Sequence, residues 1–212
     1  MATRMAGQMI EPRPAKRDGR TTQTRAHILR EAERLYYRGG YAGVNLQEIA
    51  DTLGLTKAAL FHHFRSKQDL FCAMLLEMLR QRQEPLEAAI GAASGTAERL
   101  RAIMRVMAAF PFFDPMKFQA DEHGKLSPEQ QRTVEQAFAT CIQQPIARAL
   151  AEGVERGELR PHRPMLGVMY FLTLVMMLPS PGHPNLRLAS GADLDTHIDE
   201  LLAFFLHGLA SE

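Results

Sequence analysis

The 212-residue sequence predicts an all-α protein, an N-terminal three-helix helix-turn-helix unit followed by a larger C-terminal helical body. Three observations predict it. Apolar residues recur at spacings of three and four along most of the chain, without strand-like alternation. A glycine-containing turn at residues 51–56 joins two short helical segments, the spacing of a helix-turn-helix. Hydrophobic residues make up 46% and charged residues 23%, enough apolar material to fill a core.

Residues 1–21 contain Glu11-Pro12-Arg13-Pro14 and have no hydrophobic period, so they read as a disordered basic arm. From Thr24 the pattern turns helical. Ile28, Leu29, Ala32, Leu35 and Tyr36 share a face, and Gly39-Gly40 ends the run. A short second helix follows Asn45, whose side chain is placed to cap it, with Glu48 completing a capping-box variant. Ile49, Ala50 and Leu53 form its inner face. Gly54 supplies a turn residue free to take a positive φ. Thr56 caps a third helix, 57–64, in which Leu60 and Phe64 share one face. Ser66 and Asp69 open a fourth, whose apolar series Leu70, Phe71, Met74, Leu75 and Met78 runs to about residue 82.

These elements divide the chain into the arm (1–21), a helix-turn-helix domain (22–70) and a helical body (71–212). Within the body, helices are expected over roughly 86–92, 96–109, 128–152, 163–178 and 192–210, with Pro145 kinking or splitting the third of these.

Net charge is +1, but its distribution is uneven. Residues 1–70 carry 12 Lys/Arg against 7 acids, a balance of +5, and the remainder carries −4. A basic unit joined to an acidic body suits a polyanion at one end only. No apolar run reaches the length of a membrane span, residues 165–178 being the longest stretch, so no membrane partner is expected. The N-terminus lacks the pattern of a secretory signal, and Cys72 and Cys141 form no CxxC pair. Both point to the reducing cytoplasm.

Residues 46–71, LQEIADTLGLTKAALFHHFRSKQDLF, resemble the DNA-binding signature of the TetR family of transcriptional regulators. They share its Ile-Ala pair, glycine-centred turn, Leu-aromatic pair, "HF" ending, and "SK" before an acidic-Leu-aromatic run. The similarity covers about residues 22–72. It implies a homodimeric regulator, expected to be a repressor, that grips double-stranded DNA through the third helix. Carried over by position, it implies base readout, or its surroundings, for Gln47, Lys57, Ala58 and Ala59. Phe61, His63 and His62 take further DNA-facing positions. Lys67 is implied to meet a phosphate at a helix N-terminus, and Asn45 and Thr56 can donate to phosphate oxygens besides capping. There are two departures. Phe61 stands where Tyr is common, which removes a hydroxyl, and Ala58 replaces a frequent Gly, adding a methyl able to meet thymine.

Other chemistries find little support in the residue pattern. The body shows no paired carboxylates, nucleophile–base spacing or ExxH metal pattern, so neither an enzyme nor a bound cofactor is expected. His62 and His63 are adjacent in a helix and diverge by roughly 100°, which disfavours a shared metal ion. Asp121-Glu122-His123 reads as a solvated loop.

The body's aromatic and methionine residues divide between core packing and an apolar effector pocket. Met104, Met107, Phe110, Phe113, Phe118, Phe138, Met169 and Met176 are the pocket candidates, for an unidentified small apolar or amphipathic effector. The last two helices are apolar over wide faces, which one monomer lacks the surface to cover. They are therefore expected to form a two-fold dimer interface, and two recognition helices so related would read a palindrome.

Overall fold

A computed structural model describes residues 16–111, 113, 118–179, 181 and 193–209, and among these residues every regular element is helical. The first helix, α1, runs Lys16–Gly43 and is interrupted at Gly39 and Gly40, where φ reaches 62° at Gly40. The glycine pair thus ends the continuous helix where its backbone freedom predicts. Its start differs from expectation. Residues 16–21, assigned to the arm, are helical, because extending a nucleated helix gains one hydrogen bond per residue ordered. The rest of the arm lies outside the described residues.

Two short helices follow, α2 (Leu46–Thr52) and α3 (Lys57–His63), and then the long α4 (Lys67–Ala92). Gly54 turns the chain between α2 and α3 with φ +63°. Ile28, Ala32, Val44, Ile49, Leu60, Leu70 and Phe71 are fully buried and close a single core among the four helices. The expected end of α4 near residue 82 is corrected. The helix continues through Pro85, which is exposed, as is Gln81 one turn back, so solvent can replace the hydrogen bond that proline cannot donate.

The body comprises α5 (Thr96–Ala109), α6 (Pro128–Phe138), α7 (Gln144–Glu155), α8 (Pro164–Val175) and α9 (Leu194–Leu209). The 128–152 segment is split at Pro145, as expected, into the helices Pro128–Phe138 and Gln144–Glu155. A π-helical turn, Ala139–Gln143, lies just before the proline, and the Gln144 N–H bonds the Ala139 carbonyl five residues back. The widened turn accommodates a residue that has no N–H to offer. A second core gathers Leu86, Leu100, Ile103, Met104, Ile142, Ile146, Val168, Phe171, Ile198 and Leu202. Leu79, on α4, packs against both cores.

The segment between α5 and α6 is where the sequence misleads most. Residues 118–125 form a π turn and a 3₁₀ turn that fold back over α1. Glu122, expected in a solvated loop, is buried. It accepts the Tyr36 hydroxyl at 2.7 Å and the Tyr41 N–H at 3.1 Å. Just beyond it, Gln130 donates to Asp69 at 2.9 Å and the Gln68 amide donates to the Lys125 carbonyl. Leu126 and Val134 enter the first core. The helix-turn-helix unit is therefore closed on one side by the body.

Candidate nucleic-acid interface

The local chemistry that builds α2 and α3 is capping. Asn45 Oδ1 accepts the N–H of Gln47 at 2.9 Å and of Glu48 at 3.4 Å, and Thr56 Oγ1 accepts that of Ala59 at 3.1 Å. Each cap satisfies donors that the helix start would otherwise leave to water. Glu48 does not close the capping box. Its carboxylate instead lies 3.6 Å from Arg34 and 3.7 Å from Arg38, pinning α2 to α1. Asn45 keeps its side-chain N–H group and Thr56 its hydroxyl hydrogen, so both can still donate outward.

Helix α3 is held from behind. Leu60 is wholly buried, and Phe64, buried at the helix end, donates its N–H to the Leu60 carbonyl at 3.1 Å. The Arg25 guanidinium carbon stands 5.1 Å from the centre of the Phe64 ring. The other side is open. Lys57, Ala58, Phe61 and His62 are exposed, and Ala59 and His63 are half-buried. Phe61 is 39% exposed, unusual for an aromatic ring on a helix whose opposite face anchors a core. Gln47 and Asp51 are exposed on α2 and joined by a 2.8 Å hydrogen bond from the Gln47 amide. Gln47, Lys57, Ala58, Ala59, Phe61, His62 and His63 thus lie on α2 and α3 with exposed or half-buried side chains.

The two histidine rings meet edge-to-face at 5.8 Å. His63 has its pKa lowered, by burial first and then by His62 and Arg25. Among the described residues no three His, Cys, Asp or Glu side chains are grouped to hold a metal ion. No helix among them is long and apolar enough to cross a membrane.

A family model described as bacterial regulatory proteins, tetR family, matches residues 28–74, the same helices that carry this open side. Over these residues the chain is similar to the TetR family of bacterial regulatory proteins. It is 42% identical over 53 residues to the HTH-type transcriptional regulator TtgR of Pseudomonas putida, 25% of each chain. The match therefore spans a quarter of that relative's length. With the HTH-type transcriptional repressor AcnR of Corynebacterium efficiens it is 23% identical over 172 residues, 81% of this chain and 85% of the relative. Among solved structures, AibR in complex with isovaleryl coenzyme A and operator DNA superposes with a TM-score of 0.66 at 24% identity, over 88% of this chain and 98% of AibR. That likeness extends the shared fold across the body.

Two groups of residues sit differently than the sequence suggests. Lys67 does not project freely. Its ammonium donates to the Ala42 carbonyl at 3.3 Å and lies 4.5 Å from the Tyr41 ring centre, and burial lowers its pKa. The eight pocket candidates do not converge on one cavity. Met104 is fully buried in the second core, with Met107 and Phe138 half-buried against it. Phe113 and Phe118 belong to the first core, 5.5 Å from each other, with Phe113 6.4 Å from Tyr36, because their segment folds over α1. Met169 is 50% exposed on α8, Met176 follows that helix half-buried, and Phe110 covers Arg82. An open cleft of about 630 Å³ lies instead along α4 and α5, lined by Ala89, Ala97, Arg101, Arg105 and Val106 among others.

The sequence reading missed Arg25 and Asp51. Asp51 was detectable, since it stands four residues from Gln47 on one helix. Arg25 was not, because its ring partner Phe64 is 39 residues away.

Proposed function

We propose that the chain is a homodimeric transcriptional repressor that binds a palindromic operator through α3 and is released by a small apolar or amphipathic effector. The observation that carries the reading is the open outer side of residues 57–63, with Leu60 and Phe64 anchoring the helix from behind. A helix of this length, roughly 10 Å, is of a size to enter a major groove. The likeness to AcnR, a transcriptional repressor, and to AibR, seen bound to isovaleryl coenzyme A and operator DNA, supports repression and effector response.

Dimerisation through the last two helices is supported by apolar residues left uncovered on the single chain. Met165, Met169 and Tyr170 on α8 are 50–58% exposed, and Phe204 on α9 is 80% exposed. Apolar surface of this density on adjoining helices calls for a covering partner. A two-fold copy of the same face is the economical one. The effector shifts operator occupancy only by its difference in affinity between the two dimer states. The cytoplasm is the compartment where such a regulator meets DNA.

The test is selection of bound duplexes from fragmented genomic DNA, followed by affinity measurement against salt. An enriched palindromic site whose affinity falls steeply between low and moderate salt is expected. Failure to enrich any duplex would overturn the reading.

A further inference from the structure

Arg82 is a buried cation whose hydrogen-bond and ring partners among the described residues are all neutral. It lies on α4 between Met78, in the first core, and Leu86, in the second, and is 5% exposed. One guanidinium nitrogen donates to the Met78 carbonyl at 2.6 Å and the other to the Tyr37 hydroxyl at 3.2 Å. The Phe110 ring lies over it, 4.5 Å from centroid to carbon. Among the described residues no carboxylate forms an ion pair with it. Glu33 on α1 is near enough to feel its charge, yet burial raises the pKa of that carboxyl and the attraction of Arg82 does not reverse the shift. The two nonetheless form no ion pair within 4 Å.

A charge removed from water without a counter-charge is costly, and buried arginines are ordinarily paired. The planar guanidinium matches carboxylate and phosphate oxygens two at a time. We propose that Arg82 recognises the effector's anionic group, so that the effector is an organic acid with a carboxylate or phosphate head and an apolar remainder. This rests on the effector-response reading above and names the ligand class.

The position also supplies a link to DNA. Tyr37 belongs to α1, the first helix of the DNA-binding unit. An anion that takes the Arg82 donors competes with the Tyr37 hydroxyl and loosens that contact between α4 and α1. Binding is then coupled to the seating of α1 by the difference between the two states. Phe110 and the half-buried Met107 supply apolar surface for the rest of the ligand.

The experiment uses the full chain and straight-chain probes: carboxylates from butanoate to decanoate, alkyl phosphates of the same lengths, and the matching alcohols and amines. Melting temperature and release of the selected operator duplex are read for wild type, Arg82→Met and Arg82→Lys. In wild type, the acids of one head type are expected to bind about tenfold more tightly than equal-length alcohols. Which head type acts distinguishes carboxylate from phosphate. Arg82→Met should melt no lower than wild type without ligand and lose the preference for acids, while Arg82→Lys keeps part of it. A lower melting temperature or misfolding of Arg82→Met would show a cation already compensated within the fold and overturn the proposal. Equal response to alcohols and acids overturns anion recognition but leaves effector response standing. If no probe of any charge acts on a chain that still binds its operator, both readings fall.

Discussion

Single side chains on α3 and at the start of α4 are expected to carry separable roles, and exposure decides which is which. Lys57 is exposed at the first turn of α3, whereas Lys67 is folded against Ala42 and Tyr41. Lys57→Ala is expected to change which base is preferred at one position per half-site in a bound-duplex selection. Lys67→Ala is expected to weaken all duplexes alike and reduce the salt slope by about 1. Lys67→Ala should also lower the melting temperature slightly, since a cation over a ring contributes about 0.5–1 kcal/mol at a partly exposed site. Indistinguishable behaviour of the two variants would remove the distinction. His63 adds a pH dependence. Its folded pKa lies below the ordinary imidazole value of about 6.5, so the unfolded chain binds a proton that the folded chain refuses. Stability therefore falls as pH drops from about 7 through the unfolded value, and levels off below the folded one. Melting curves from pH 7.5 to 5 should flatten in His63→Asn relative to wild type, and parallel curves would argue against this assignment.

At the scale of elements, the two short helices are set by their caps and by one turn. Gly54 holds φ +63° between them, and an added methyl there would meet no atom within 4 Å. The expected cost of Gly54→Ala is thus backbone strain alone, about 1–2 kcal/mol in denaturant unfolding. It should also misalign α3 and reduce operator affinity. These features were legible in the sequence because each is local. Asn45, Thr56 and Ser66 cap N–H groups two or three residues away, and Gly54 stands within the turn it permits. The strap formed by residues 118–130 was not legible. Glu122 finds Tyr36 across 86 residues, and a Glu beside a His in a polar stretch looks the same whether it faces water or a tyrosine hydroxyl. Pro85 misled for a related reason. A proline breaks a helix only where its lost hydrogen bond has no substitute. Exposed Pro85 leaves that bond to solvent within a continuous helix, whereas at Pro145 a π turn divides the segment.

For the molecule as a whole, uncovered apolar surface on α8 and α9 contrasts with the ion pairs that lock α9 to α5. Arg101 reaches Asp199 and Arg105 reaches Asp195, each at 2.7 Å, so the final helix is fixed within its own chain while Phe204 points away. Tyr170→Asp places a charge in the proposed interface without touching either core. Sedimentation is expected to show a monomer that retains its helical spectrum, with operator affinity greatly reduced because two half-sites are no longer joined. A dimer unchanged by this substitution would move the interface elsewhere.

Sequence alone determined the helical class, the helix-turn-helix and the side of α3 that stays open, because hydrophobic period, caps and glycine turns act over a few residues. Only the tertiary structure decided which body residues share a core, that the segment before α6 grips α1, and that Arg82 lies buried with no carboxylate ion pair among the described residues. Those outcomes depend on which distant side chains meet once water is excluded, and no local spacing encodes that.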